Sequence, residues 1–337
     1  MSHFRYLTAG ESHGKCLTAI IEGLPSGLFV DIDFINKELS KRQQGPGRSE
    51  RMQIETDKVE ITSGIYNNKT TGAPLCLVIY NKDYSEKPSF SKFRPGHADY
   101  AGSIKYNLDD LRPILERASA RKTAIDVAVG AIAKLLLKEF NIYASSKILQ
   151  IGKVTENFEQ EIDKIRANND STGGKFEIKY TNLPIGLGSY VHFDRTLDGK
   201  IAQEVMSISA IKVVEIGENP LGKYGSEYHD EIFYENGKIT RHSNNAGGIE
   251  GGMTNGEDLI VRAVMKPIPT LTKPLKTIDM KSFEATEAHS ERADVCAVEA
   301  CCVVAESKIA CVLANEFLQK FGGDSIEEIT KNYKNLL

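Results

Sequence analysis

The sequence predicts an α+β protein in which central buried helices lie between largely antiparallel sheets. Two observations carry this expectation. Segments 122–140 and 295–318 are apolar nearly all the way round, as helices enclosed on several sides are. The other apolar segments are short and strand-like, and they cluster rather than alternating regularly with helices as a doubly wound parallel sheet requires.

Strands are expected over 17–22, 74–80, 142–151, 175–181, 211–216, 231–235 and 258–266. Segment 175–181 reads K-F-E-I-K-Y-T, an alternation suited to a sheet with one wet face. Shorter amphipathic helices are expected over 33–42 and 198–208, the latter from Ile201, Val205 and Ile208 at i, i+4 and i+7. The stretch 151–175 reads as compact, and the chain stops soon after its last long apolar segment. No Pro/Gly/Ser-rich linker interrupts the chain, so residues 1–337 read as one domain. A polar, Arg-containing loop precedes each long helix, at 117–121 and 289–292. An internal duplication with halves meeting near 150–200 would leave such a pattern.

A chain of 337 residues buries roughly 75% of its unfolded surface, enough for a large core. Lys and Arg number 42 against 46 Asp and Glu, a net charge of −4; a dedicated nucleic-acid binder normally carries a basic excess. The first residues contain no apolar leader, and no run approaches the ~18 apolar residues of a membrane span. The expectation is a soluble cytoplasmic protein with no nucleic-acid or membrane partner. Four of the six cysteines, Cys296, Cys301, Cys302 and Cys311, fall in one apolar stretch and read as small core residues; Cys16 and Cys76 lie apart. There is no C-x-x-C pair, P-loop, dinucleotide fingerprint, H-E-x-x-H, G-x-S-x-G or EF-hand loop, so metal-dependent and common hydrolytic chemistry lack support.

Other segments do carry chemistry. T-A-G-E-S-H-G (8–14) sets His13 beside Ser12 and Glu11 in a glycine-bounded loop, where backbone can approach a ligand closely. By itself it is equally a turn with an exposed histidine. In R-P-G-H-A-D (94–99) a Pro-Gly turn presents His97 between Arg94 and Asp99; Asp99 would favour the charged imidazole and make it a proton donor. An ordinary turn remains the alternative. The loop 41–51, K-R-Q-Q-G-P-G-R-S-E-R, is studded with guanidiniums, which bind phosphate and carboxylate bidentately, although one such loop is as readily solvated surface. Arg117, Ser119 and Arg121 stand where the first buried helix begins, and helix N-termini favour anions. Segment 244–256 is rich in glycine around Ile249 and Met253 and could line a flat or anionic ligand with backbone N–H groups. Two histidines and many arginines without a metal cluster suit proton transfer on a polyanionic substrate.

Seven motifs then carry a resemblance: T-A-G-E-S-H-G, R-Q-Q-G-P-G-R-S-x-R-M, R-P-G-H-A-D, S-A-R-x-T, A-G-G-I-E-G-G, K-P-I-P-T and E-R-A-D-V-C. In this order, spanning nearly the whole chain, they resemble chorismate synthase. The resemblance implies a β-α-β sandwich, a cytoplasmic homotetramer, and a carbon–oxygen lyase of the shikimate pathway and aromatic amino-acid biosynthesis. Its reaction is the 1,4-anti elimination of phosphate from 5-enolpyruvylshikimate 3-phosphate, giving chorismate. That family requires reduced FMN although the reaction is redox-neutral, and uses NADPH where a member reduces its own flavin.

The resemblance also implies roles. His97 would sit by the flavin, His13 would protonate the departing phosphate, and Asp294 would act with the flavin in removing the C6 proton. Ser12 and Ser119 would complete the hydrogen-bond network. Arg48, Arg51, Arg112 and Arg121 would clamp the substrate's phosphate and carboxylates. Flavin positions map onto Arg117, Ala118, Ser119, Ser209, Ala210, Gly251, Lys266, Pro267, Ile268, Pro269, Thr270 and Arg292, and NADP positions onto Arg42 and Arg48. Two residues depart from the pattern: Lys122 where the family commonly has Glu, and Ala118 where it has Ser. The rivals are an NADPH-dependent flavin reductase and an inactive anion-binding family member.

Overall fold

A computed structural model describes residues 4–49, 55–290 and 294–336. The first half supplies strands β1 (Arg5–Ala9) and β2 (Cys16–Glu22), helix α1 (Ile32–Gln43), then β3 (Glu60–Ser63) and β4 (Leu75–Tyr80). These strands form one sheet in the order β1-β2-β4-β3, every pairing antiparallel. Asp31 starts α1 by accepting a hydrogen bond from the Phe34 N–H (3.0 Å). Helices α2 (Asp99–Tyr106) and α3 (Arg112–Ala118) lead to the first long buried helix, α4 (Thr123–Lys138).

The second half repeats this plan. Strands β5 (Tyr143–Ile151) and β6 (Gly174–Thr181) flank helix α5 (Phe158–Ala167); helix α6 (Leu197–Met206), β7 (Ile211–Ile216) and β8 (Leu259–Met265) follow. The sheet order is β5-β6-β8-β7, again antiparallel throughout. The second long helix is α7 (Val298–Phe321), and α8 (Ile326–Leu336) closes the chain. In each sheet the strands lie in the same spatial order relative to the chain (first, second, fourth, third), a helix follows the second strand, and the long buried helix follows the fourth.

The two long helices pack on each other in the middle layer. Helix α4 lies against β2 and β4, and α7 against β5 and β6, giving the sheet–helix–sheet arrangement expected. All of α4 from Ala124 to Leu137 is buried, which explains its apolar perimeter. Small residues set the crossing: a Cβ at Gly130 would lie 2.3 Å from the Ser307 Cβ and 2.6 Å from its Cα. Lys134, a buried cation of α4, is paired with Glu38 of α1 and Glu306 of α7, so one ammonium ties three helices.

Among the elements named above, four helices (α2, α3, α5 and α8) and two strands (β1 and the four-residue edge strand β3) escape the sequence reading. Strand β1 and helices α2 and α3 lie in motif-rich segments whose residues also suit loops. The supposedly compact stretch 151–175 contains α5, and α8 follows the last long helix. Helix α8 docks through Tyr333, whose ring meets Phe140, Phe317 and Phe321 at centroid distances of 5.0–5.5 Å. Its signal was present in the spacing of Ile326, Ile329 and Tyr333 on a strongly amphipathic helix. The expected strand at 231–235 pairs only in a small hairpin, Phe233–Glu235 with Lys238–Thr240, outside both sheets.

Candidate active site

A cavity of about 390 Å³ opens where α4 and α7 begin. Its apolar walls come from Ile208 and Ala210, Met265, Ile268 and Pro269, and Ala297, Cys301 and Val304. Arg42, Arg48, His97, Ser119, Arg121, Lys266 and Asp294 supply its polar groups, with Ala118, Ser209 and Thr270 also on its surface. A slot with one apolar and one cationic face suits a flat ring system carrying anionic groups.

The cationic face is built on a buried carboxylate. Asp57 accepts from Arg42 Nη2 (2.9 Å) and Arg121 Nη1 (2.6 Å), and its side chain is inaccessible to solvent. Asn81 Oδ1 accepts from Arg121 Nε (2.8 Å), and Glu55 lies 3.6 Å from Arg121 Nη2. Two guanidiniums thus share one direct counter-charge. Burial pushes the Arg42 guanidinium below its ordinary value; Asp57 opposes the shift, and the charges of Arg121 and Arg48 add to it. Arg42 Nε and Arg121 Nη2 are buried without a hydrogen-bond acceptor among the described residues. Incompletely satisfied guanidiniums lining a cavity suit an anionic ligand there.

The R-P-G-H-A-D motif forms a turn closed by the His97 N–H and the Arg94 carbonyl (3.1 Å). Gly96 takes φ +79°, as the third position of a type II turn requires. Asp99, inaccessible at the start of α2, lies 2.6 Å from His97 Nδ1 and accepts from Arg94 Nε and Nη2 (2.8 Å each). Burial works against the Asp99 charge, but hydrogen bonds and charge from Arg94 and His97 outweigh it and hold its carboxyl well below the usual carboxylate range. Arg94 Nη2 also lies 2.9 Å from His97 Nδ1, so the carboxylate and the guanidinium converge on that nitrogen while the ring lines the cavity.

His13 stands beside the cavity, connected to it through Ser12 and Ser119, whose hydroxyls are 3.2 Å apart. Its Nδ1 lies 2.9 and 3.0 Å from the two Glu116 oxygens, and its Nε2 faces Asp83 Oδ2 at 3.6 Å. Asp294, also on the cavity surface, is paired with Arg48 (2.6 Å) and accepts from the Ser49 N–H (2.6 Å). Lys266 donates to the Gly96 carbonyl, joining the end of β8 to the His97 turn. Burial and Lys212 push the Lys266 ammonium below its ordinary value.

Several anticipated residues do not line the cavity. Arg117 donates to the Gly10 (2.9 Å) and Thr8 (3.3 Å) carbonyls and so braces the His13 loop. Arg112 donates to the Pro88 carbonyl (2.9 Å) and faces Glu116 at 3.6 Å. Pro267 is exposed. Gly251 lies in the hairpin Ile249–Glu250/Met253–Thr254, which packs against Gly188 and Leu197. Arg51 and Arg292 lie outside the described residues. Of the two departures, Ala118 lines the cavity. Lys122 sits in the 3₁₀ turn Ala120–Lys122 ahead of α4, where burial lowers its ammonium against the attraction of Asp126.

The structure adds groups that sequence reading passed over: Asp57, Glu55, Asn81, Asp83 and Glu116. For Glu116 a weak signal existed in its i+4 spacing from Arg112. The others carry no local pattern, because their partners are fixed by the fold.

The family model described as chorismate synthase matches residues 4–318. A chorismate synthase of Thermoanaerobacter pseudethanolicus is 55% identical, over 98% of this chain and 97% of that protein. One from Caldanaerobacter subterraneus subsp. tengcongensis is 53% identical, over 99% of this chain and 98% of that protein. A solved structure titled as the crystal structure of chorismate synthase superposes with a TM-score of 0.82 at 40% identity, covering 99% of this chain and 97% of its own. With its motifs in register, its sheet–helix–sheet fold and its cationic slot, this chain belongs to the chorismate synthase family.

Proposed function

We propose that the protein catalyses the 1,4-anti elimination of phosphate from 5-enolpyruvylshikimate 3-phosphate to chorismate, with reduced FMN held in the cavity. The observation that carries this reading is the slot itself. Apolar residues from α7 and the end of β8 line one cavity with two buried arginines, Arg42 and Arg121, whose Nε and Nη2 atoms respectively make no hydrogen bond among the described residues. Ile268, Pro269, Thr270, Ser209 and Ala210 would hold the flavin ring, with Lys266 and His97 at its edge. When bound there, reduced FMN would supply transient electron density for C–O cleavage with no net redox change.

The protein's own residues do the remaining work. Arg42, Arg48 and Arg121 bind and orient the substrate's phosphate and carboxylates. His13 delivers a proton to the departing phosphate, and Ser12 and Ser119 relay the hydrogen bonding between His13 and the cavity. Asp294, the one carboxylate among the described cavity residues, is placed to accept the C6 proton once the anionic substrate draws Arg48 away from it. His97, which lines the cavity, would hold or move a proton at the flavin edge.

Further readings rest on the family likeness. Arg42 and Arg48 would also meet an NADPH phosphate if the protein reduces its own flavin, which NADPH oxidation by protein and FMN alone would measure. A homotetramer in the cytoplasm is consistent with the cross-strand pair Leu7 and Ile20, exposed at 75% and 51% on the outside of the first sheet, and with the finding that no described helix is long and apolar enough to cross a membrane. We read the chain as one domain with an internal pseudo-duplication whose halves meet near residue 141, earlier than the 150–200 expected from sequence. The decisive assay is anaerobic, with chemically reduced FMN and no NADPH. Phosphate and chorismate should appear in equal amounts; absence of phosphate release would overturn the assignment.

A further inference from the structure

We propose that Glu116 is a positioning residue that orients His13 and selects the nitrogen from which it releases its proton. The inference deepens the reading of His13 as the acid for the departing phosphate and rests on it. Glu116 holds the His13 loop at three points. Its carboxylate accepts the His13 backbone N–H (2.7 Å) and lies against His13 Nδ1, and its own carbonyl accepts the Ser12 N–H (3.0 Å). From the other side Asn81 Nδ2 donates to the carbonyls of Glu11 (3.2 Å) and Gly14 (2.7 Å), closing the loop. Arg112 Nη1 faces the same carboxylate at 3.6 Å.

An ionised carboxylate only accepts hydrogen bonds, so the nitrogen facing it must carry a proton. Nδ1–H is therefore fixed in both protonation states of the ring, and Nε2 is the nitrogen that exchanges. Glu116 at Nδ1 and Asp83 near Nε2, itself 3.3 Å from Lys87, stabilise the doubly protonated ring that a general acid needs. In the step, the substrate C–O bond breaks and its electron pair leaves with phosphate. The Nε2 proton moves to a phosphate oxygen, and neutral His13 remains with Nδ1–H, the tautomer Glu116 already favours. Both partners are nearly buried, with side-chain exposures of 10% for His13 and 13% for Glu116, so water does not readily replace the carboxylate.

Glu116→Gln retains size and one acceptor but must turn an amide N–H toward either Nδ1 or the backbone N–H. In the anaerobic assay with reduced FMN, its kcat should fall ~10²-fold, within the range of a lost proton-transfer contribution, while KM stays within about threefold. Long-range proton–nitrogen NMR of the His13 ring, assigned by its loss in His13→Asn, should show Nδ1–H in the neutral wild-type ring and an increased Nε2–H population in Glu116→Gln. A neutral wild-type ring protonated at Nε2 overturns the proposal without any variant having to fold. So does a Gln variant with wild-type kcat, or one that loses activity with its tautomer unchanged. If the wild type releases no phosphate, the function assignment fails while the NMR result still decides the role of Glu116.

Discussion

Asp57→Asn tests how the cationic face is held. The substitution is nearly isosteric, but it removes the carboxylate bonded to both Arg42 and Arg121 at 2.9 and 2.6 Å, in a site closed to solvent. Breaking a buried ion pair from one side costs about 3–5 kcal/mol, because the surviving charge stays buried. Glu55, 3.6 Å from Arg121, retains part of the compensation, which places the expected loss near the lower limit, about 3 kcal/mol. A chain of 337 residues has an unfolding entropy of about 0.7 kcal/mol/K, so the melting temperature should fall by about 4 °C. Because the site loses a negative charge and keeps both guanidiniums, added phosphate should raise the melting temperature of the variant more than that of the wild type. Differential scanning fluorimetry in 0 and about 10 mM phosphate, at constant ionic strength, reads both effects. A variant that melts with the wild type and gains no more from phosphate would refute the claim that Asp57 is the counter-charge holding these arginines.

Three further outcomes follow from the same geometry. His97→Ala should lower turnover ~10²–10⁴-fold, and wild-type turnover would remove His97 from the proton chemistry. Asp99 has a depressed folded-state value, so its stabilising contribution is complete above the ordinary carboxylate range and is lost as pH falls through the lower folded value. Urea unfolding between about pH 5 and 3 should therefore lose stability less steeply in Asp99→Asn than in the wild type; parallel slopes would contradict the depressed value. Gly130→Ala improves helix propensity by ~1 kcal/mol, yet its new methyl would meet Ser307 at 2.3 Å. Overpacking of ~1–3 kcal/mol should dominate, seen as a lower melting temperature, and a stabilised variant would show that α4 and α7 separate easily.

The layered fold was readable because its cause is local: all-round apolarity marks helices α4 and α7, and alternation marks β6. The motifs were readable because glycine and proline shape their own turns, as Pro95 and Gly96 do around His97. Asp99 was legible as the partner of His97 because it lies two residues away. Helix α5 carried a legible signal, with Phe158, Ile162 and Ile165 at i, i+4 and i+7 as in α6, and was passed over because charged residues fill the rest of the segment.

Amino-acid order therefore made the two long helices, six of the eight main strands, their layering and the chemistry of the motif loops legible. It could not decide which loops meet. Asp57 reaches Arg121 across 64 residues and Arg42 across 15, and Glu116 reaches His13 across 103. Nor could it show that Arg117 and Arg112 face backbone carbonyls rather than the cavity. An arginine's charge is a property of the residue, whereas its partner is set by where packing of the two buried helices delivers each loop. Only that packing separates the guanidiniums poised for an anion from those that hold the scaffold.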